Sequence, residues 1–220
     1  MQNTLRKRKS RGQNWRLRCL PLVYQIGVMK CGTSDLFYSL TSHPDVIRPP
    51  AKEPNYWNQI RYVDASVHYL FLFHHWRRLP LNKGQDFPKY GIPHIIKHLV
   101  ADAKIIVILR DPVERLYSEY LYFNQGRPTS NREFHQLVEE SVNLMNSCLT
   151  VNGTKSCIFN NNVIKARKSV KLVAGIYYPF LKMWTEVFQH NNVYMLTLEE
   201  YRENKTTAMR KIFKFLKLGK

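Results

Sequence analysis

"YQIGVMKCGTSDLF", Tyr24 to Phe37, starts as an apolar run and ends in a pattern suited to a helix, with a lysine, a small residue, a glycine and two hydroxyls between. Leu22 to Val28 reads as a buried strand, and Asp35 to Ser42 as a helix that His43-Pro44 terminates. At such a corner the backbone N–H groups of Cys31, Gly32, Thr33, Ser34 and Asp35 converge on one point, and the helix dipole favours an anion there. Gly32 permits a close approach, Thr33 and Ser34 add hydroxyl donors, and Lys30 adds a positive charge. A Walker loop reads GxxxxGK[ST]; here the lysine precedes the glycine, so an ordinary nucleoside triphosphatase loop is not matched. The plain alternative is a capped helix beside a surface lysine.

Working outward, "KIIVILRDP" carries five apolar residues suited to a central parallel strand. Asp111 can cap the following helix, Pro112 takes its first position, and Val113, Leu116, Tyr117 and Tyr120 form its expected inner face. This is a second strand-to-helix corner. Arg110 at the strand end and Ser118 in the second helical turn can reach one phosphate near the first corner. Further helices are expected over Ser66 to Leu79, around Ile92 to Leu99, over Asn131 to Leu149 and over Ile176 to Gln189, the last bearing Tyr178, Leu181, Trp184 and Phe188. Thr150 to Asn162 reads as a polar loop, Val193 to Leu198 as a third strand, and the remainder as a basic helix to about Leu218. Strands alternating with helices imply a three-layer α/β fold with a mainly parallel sheet, whose ligands gather outside the carboxyl ends of the strands.

The 220 residues fit one domain, residues 21–220, preceded by a basic leader or stem over residues 1–20. Lysine and arginine outnumber aspartate and glutamate by 34 to 16, and a net charge of +18 predicts attraction to polyanions. The apolar stretch after the leader is only about a dozen residues and contains Pro21, too short to span a bilayer. Cys148 and Cys157 bracket the sequon Asn152-Gly153-Thr154, and a second sequon begins at Asn204. A sequon inside a short Cys-to-Cys loop points to a disulfide and an oxidising lumen; two buried thiols and two unused sequons are the alternative. Cys19 and Cys31 have no obvious partners, the eight histidines are scattered, and no spacing predicts a metal site.

The two corners together resemble the sulfotransferases that use 3'-phosphoadenosine 5'-phosphosulfate, PAPS. "KCGTS" resembles their 5'-phosphosulfate loop, and "LRDPVERLYSEY", Leu109 to Tyr120, their 3'-phosphate motif, with Arg110 and Ser118 in the matching places. "GVMKCGTSDLFYSLTSHPDVIRPPAKEPNYW", Gly27 to Trp57, and "GIYYPFLKMW", Gly175 to Trp184, are similar to stretches of the Golgi carbohydrate sulfotransferases, most closely the N-acetylgalactosamine 4-sulfate 6-O-sulfotransferase group acting on chondroitin and dermatan sulfate.

The resemblance implies in-line attack of a sugar hydroxyl on sulfur, with no metal and no covalent enzyme intermediate. It gives Lys30 the charge on the bridging oxygen and the loop N–H groups the phosphate. Glu53 sits where related enzymes carry a catalytic glutamate; His74, His94 and His135 are weaker candidates for the base. Arg48 and Lys52 suit an acidic acceptor, and charge alone adds Arg127, Arg132, Lys155, Lys165 and Arg167. It also implies a Golgi-luminal type II membrane protein with an N-terminal anchor and a C-terminal lid; neither is recognisable here, so the chain is expected to be a fragment of a longer protein.

Two other readings remain open. A P-loop kinase would use Asp111 as a Mg²⁺ ligand and require ATP. A non-catalytic polyanion-binding module would bind heparin or DNA with steep salt dependence, although stacking aromatics in an RNA-binding arrangement are not evident and no nucleic-acid partner is expected.

Overall fold

The computed structural model describes residues 21–46, 68–71, 76–160, 163 and 170–219. Its sheet consists of β1 (Val23–Gly27), β2 (Lys104–Leu109) and β3 (Val193–Thr197), all parallel, in the order β1-β2-β3. Ile105, Ile106, Val107 and Ile108 are fully buried at consecutive positions. Successive side chains leave a strand on opposite faces, so both faces of β2 are covered. On the edge strand β3 the pattern relaxes to Leu196 inward and Met195 outward. Parallel pairing places Gly27 beside Val107 and Leu109 beside Thr197, so the corners following β1 and β2 open at the same edge of the sheet.

Eight α-helices lie among the described residues: α1 (Thr33–Thr41), α2 (Ile92–Leu99), α3 (Pro112–Phe123), α4 (Asn131–Leu149), α5 (Thr154–Ile158), α6 (Tyr177–Val187), α7 (Leu198–Glu203) and α8 (Lys205–Leu216). Their starts are locally encoded. The Asp111 carboxylate accepts from the Val113 and Glu114 N–H groups, and Pro112 supplies the first helical position. Ser130 accepts from Glu133 N at 3.1 Å, and Thr197 and Glu200 form a reciprocal capping box. Phe180, Trp184 and Phe188 from α6 and its end enter the same core as Tyr24, Ile26, Ile92 and Ile96, and each such side chain stabilises the fold by roughly 1.5–3 kcal/mol. A Cys148–Cys157 disulfide ties the end of α4 to α5.

Several elements differ from expectation. Helix α1 begins at Thr33, not Asp35, because Gly32 caps it in a left-handed conformation. The helix expected over Ser66 to Leu79 is not formed in its described parts. Leu70 donates its N–H to Ile26 O of β1, and Trp76–Arg78 forms a 3-10 turn. Leu79 is extended, as a residue before proline prefers. The polar loop from Thr150 contains α5, and the single basic C-terminal helix is divided at Asn204 into α7 and α8. On α3, Leu116 and Tyr120 face inward, but Val113 and Tyr117 are exposed; their expected places are taken by the fully buried Arg115 and Glu119. Tyr178 is likewise exposed on α6.

Candidate functional site

The turn after β1 is built by backbone demands. Lys30 has φ 65° and Gly32 φ 75°, and Cys31 N donates to Val28 O at 3.2 Å. From beneath, Gln25 Nε2 donates to Thr33 O at 2.9 Å in a buried bond, fixing the first residue of α1 to β1. The first-turn N–H groups of α1 have no carbonyl one turn earlier in the helix and face its N-terminal end. Thr33 is buried and Ser34 exposed at this end. Burial pushes the Cys31 thiol up to about 11, so it stays protonated and contributes through its backbone.

The turn after β2 meets this loop directly. Arg110 Nη1 donates to Lys30 O at 3.4 Å, while Nε and Nη2 reach Glu114 Oε2 at 3.2 and 3.0 Å. Lys30 extends across the gap and sets its ammonium 4.1 Å from the centre of the Tyr122 ring, on the last turn of α3. Ser118 lies half-buried one turn earlier on α3, at i–4 from Tyr122. The structure therefore brings together Lys30, the Cys31–Ser34 turn, Arg110 and the α3 segment that bears Ser118. Its donor set comprises backbone N–H groups, an ammonium and a guanidinium, which fits a phosphorylated or sulfated anion.

Asp35 is placed differently. Its carboxylate accepts from Tyr201 at 2.8 Å and from Lys205 at 2.9 Å, tying α1 to α7 and α8. The Lys205 hydrogen bond, followed by that from Tyr201, holds the carboxyl below its usual range. Only the Asp35 backbone remains available to an anion at the loop. His94 is the third residue of α2 and its Nδ1 accepts from the N–H of the cap residue Gly91 at 3.2 Å, and His135 pairs with Glu139 on α4. Arg127 follows α3, Arg132 lies in the first turn of α4 and Lys155 lies on α5, its ammonium 5.4 Å from the Phe87 ring; all three are exposed. Asn152 is exposed beside the disulfide, and Asn204 caps α8 by accepting from Thr207 N at 2.9 Å. Arg48, Lys52, Glu53, His74, Lys165 and Arg167 lie outside the described residues. No group of three or more His, Cys, Asp or Glu among the described residues could hold a metal ion.

Sequence reasoning missed four residues. Tyr122 supplies the ring beneath Lys30, and its spacing of four from Ser118 was the available signal. Tyr177 donates its hydroxyl to Arg110 O at 2.8 Å. Arg115 and Glu119 form an ion pair at 3.1 Å in the interior, where amphipathic patterning expects apolar residues.

The sequence profile of the sulfotransferase domain matches residues 23–219. Carbohydrate sulfotransferase 15 from Mus musculus and from Homo sapiens are each 31% identical over 257 aligned residues, covering 94% of this chain. The chain spans 46% of the length of either relative. The crystal structure of a sulfotransferase from Alicyclobacillus acidocaldarius superposes with a TM-score of 0.62 at 21% identity, covering 92% of this chain and 83% of that one, a likeness of fold.

Proposed function

The chain belongs to the sulfotransferase domain family, and from that premise we propose that it transfers a sulfuryl group from PAPS to a glycosaminoglycan hydroxyl. The observation that carries the reading is the meeting of the two corners, with Arg110 bonded to Lys30 O across the mouth of the Cys31–Ser34 turn. A two-ended anionic donor fits this arrangement. The turn and the N-terminus of α1 hold the 5'-phosphosulfate, and Arg110 with Ser118 holds the 3'-phosphate. PAPS, when bound, supplies the electrophilic sulfur and a leaving phosphate. Lys30 then neutralises charge at the bridging oxygen, and the fixed N–H groups hold the phosphate without reorganising. Glu53 takes the proton from the attacking hydroxyl.

The acceptor we infer is the 6-hydroxyl of N-acetylgalactosamine 4-sulfate in chondroitin or dermatan sulfate, supported by similarity to carbohydrate sulfotransferase 15 and by the +18 charge. Arg48, Lys52, Arg127, Arg132, Lys155, Lys165 and Arg167 are the cations proposed to meet it. The disulfide, together with sequons at Asn152 and Asn204, supports a Golgi-luminal domain carrying N-glycans. No helix among the described residues is long and apolar enough to cross a membrane; the type II anchor belongs to this proposal. The kinase reading is weakened at Asp111, whose Oδ1 accepts from two backbone N–H groups as the cap of α3.

Calorimetric titration with adenosine 3',5'-bisphosphate tests the donor site. Binding should be independent of Mg²⁺ and should weaken at least about tenfold in Lys30→Ala and in Arg110→Ala. Preference for ADP with Mg²⁺ would replace this reading with the kinase.

A further inference from the structure

We propose that Arg115, Glu119 and Tyr177 form a positioning device that holds Arg110 in register with the phosphosulfate loop, and so sets selectivity for the 3'-phosphate. The inference rests on the donor reading above and adds residues to it that touch no ligand.

Arg115 and Glu119 lie one turn apart on α3, both completely buried. Burying two charges is costly, and a pair in the interior needs further hydrogen bonds to be tolerated. Those bonds converge on one residue of another segment. Glu119 Oε2 accepts from Lys171 N at 3.1 Å, and Arg115 Nη2 donates to Lys171 O at 3.0 Å. Both backbone groups of Lys171 are thus gripped by the ion pair, with the Lys171 ammonium 3.8 Å from Glu119 Oε1. The carboxylate and guanidinium bind the N–H and C=O of one residue much as a neighbouring strand would.

From Lys171 a 3-10 turn over Leu172–Gly175 runs closely along α3. A Cβ at Gly175 would stand 3.3 Å from Pro112 Cβ and 3.8 Å from Arg115 Nε. The turn delivers Tyr177, the first residue of α6. Its hydroxyl donates to Arg110 O at 2.8 Å, and the Arg110 guanidinium in turn donates to Lys30 O at 3.4 Å. Burial raises the phenol well above its ordinary value, so it remains a donor throughout the physiological range. One hydroxyl therefore anchors the second corner, whose arginine reaches the first. Fixing the Arg110 carbonyl fixes the backbone from which its guanidinium projects, between β2 and the capped start of α3.

A residue that only supports the fold would weaken every nucleotide alike. A residue that aligns Arg110 should weaken only ligands with a 3'-phosphate. The test is therefore the ratio of dissociation constants for 5'-AMP and adenosine 3',5'-bisphosphate, measured by calorimetry in the wild-type chain and in Tyr177→Phe. The ratio should fall about tenfold in the variant, with 5'-AMP binding changed less than about twofold. Glu119→Gln should lower the same ratio; should that variant fail to fold, Tyr177→Phe decides alone. A selective wild type with an unchanged ratio in Tyr177→Phe overturns the inference and leaves the donor site standing. A wild type without preference for the 3'-phosphate overturns the donor reading itself.

Discussion

Glycine at position 32 is required twice over. Its φ of 75° is unfavourable for any residue with a Cβ, and a Cβ there would come within 2.6 Å of Leu198 Cδ1, a buried side chain at the start of α7. Gly32→Ala should cost on the order of 2–4 kcal/mol, combining left-handed strain with overpacking, as measured by urea unfolding. The role of a glycine in the turn was legible in the sequence; the opposing Leu198 was not, because it arrives from 166 positions along the chain. Lys30 shows the same division. Its charge beside the turn could be read directly, whereas the Tyr122 ring that receives it depends on how α3 crosses the loop. At Asp35 the sequence reading concerned the backbone N–H alone, and the side chain's bonds to Tyr201 and Lys205, distant in the chain, carried no local signal.

Elements were legible where local chemistry sets them. Asp111-Pro112 announces the start of α3, and both residues act as expected. Asp111→Ala should lose about 1 kcal/mol of stability by thermal or urea unfolding, while Mg²⁺ should have no effect on nucleotide binding by either protein. The inner face of α3 was misread because patterning assigns charged residues to solvent, and Arg115 with Glu119 escape that rule by neutralising each other and holding Lys171. The contact between α1 and α8 is electrostatic and should respond to acid. Lys205 first, and then Tyr201, depresses the Asp35 carboxyl in the folded chain. A depressed carboxyl contributes stability above its unfolded value of about 3.9, and that contribution fades as pH falls through the lower folded value. The melting-temperature deficit of Lys205→Ala should thus be present at pH 7 and vanish once pH falls below the depressed folded value. A deficit independent of pH would assign the loss to packing of the lysine stem.

For the molecule as a whole, apolar strands and alternating helices were enough to specify a layered α/β fold with ligands at the carboxyl edge, and the sheet order places both corners there. Long-range pairings, which decide how Tyr177 reaches Arg110, carry no local periodicity to read. The +18 charge belongs to this scale also. It should draw a polyanionic acceptor toward the surface with an affinity that falls as salt rises, whereas nucleotide binding within the turn should depend on salt much less steeply. The most direct test of the account is transfer of radiolabelled sulfate from PAPS to chondroitin 4-sulfate by this chain, without added metal, followed by disaccharide analysis of the product. The account predicts label at the 6-hydroxyl of N-acetylgalactosamine 4-sulfate and its loss in Lys30→Ala; PAPS binding without transfer to this or any glycosaminoglycan would contradict it.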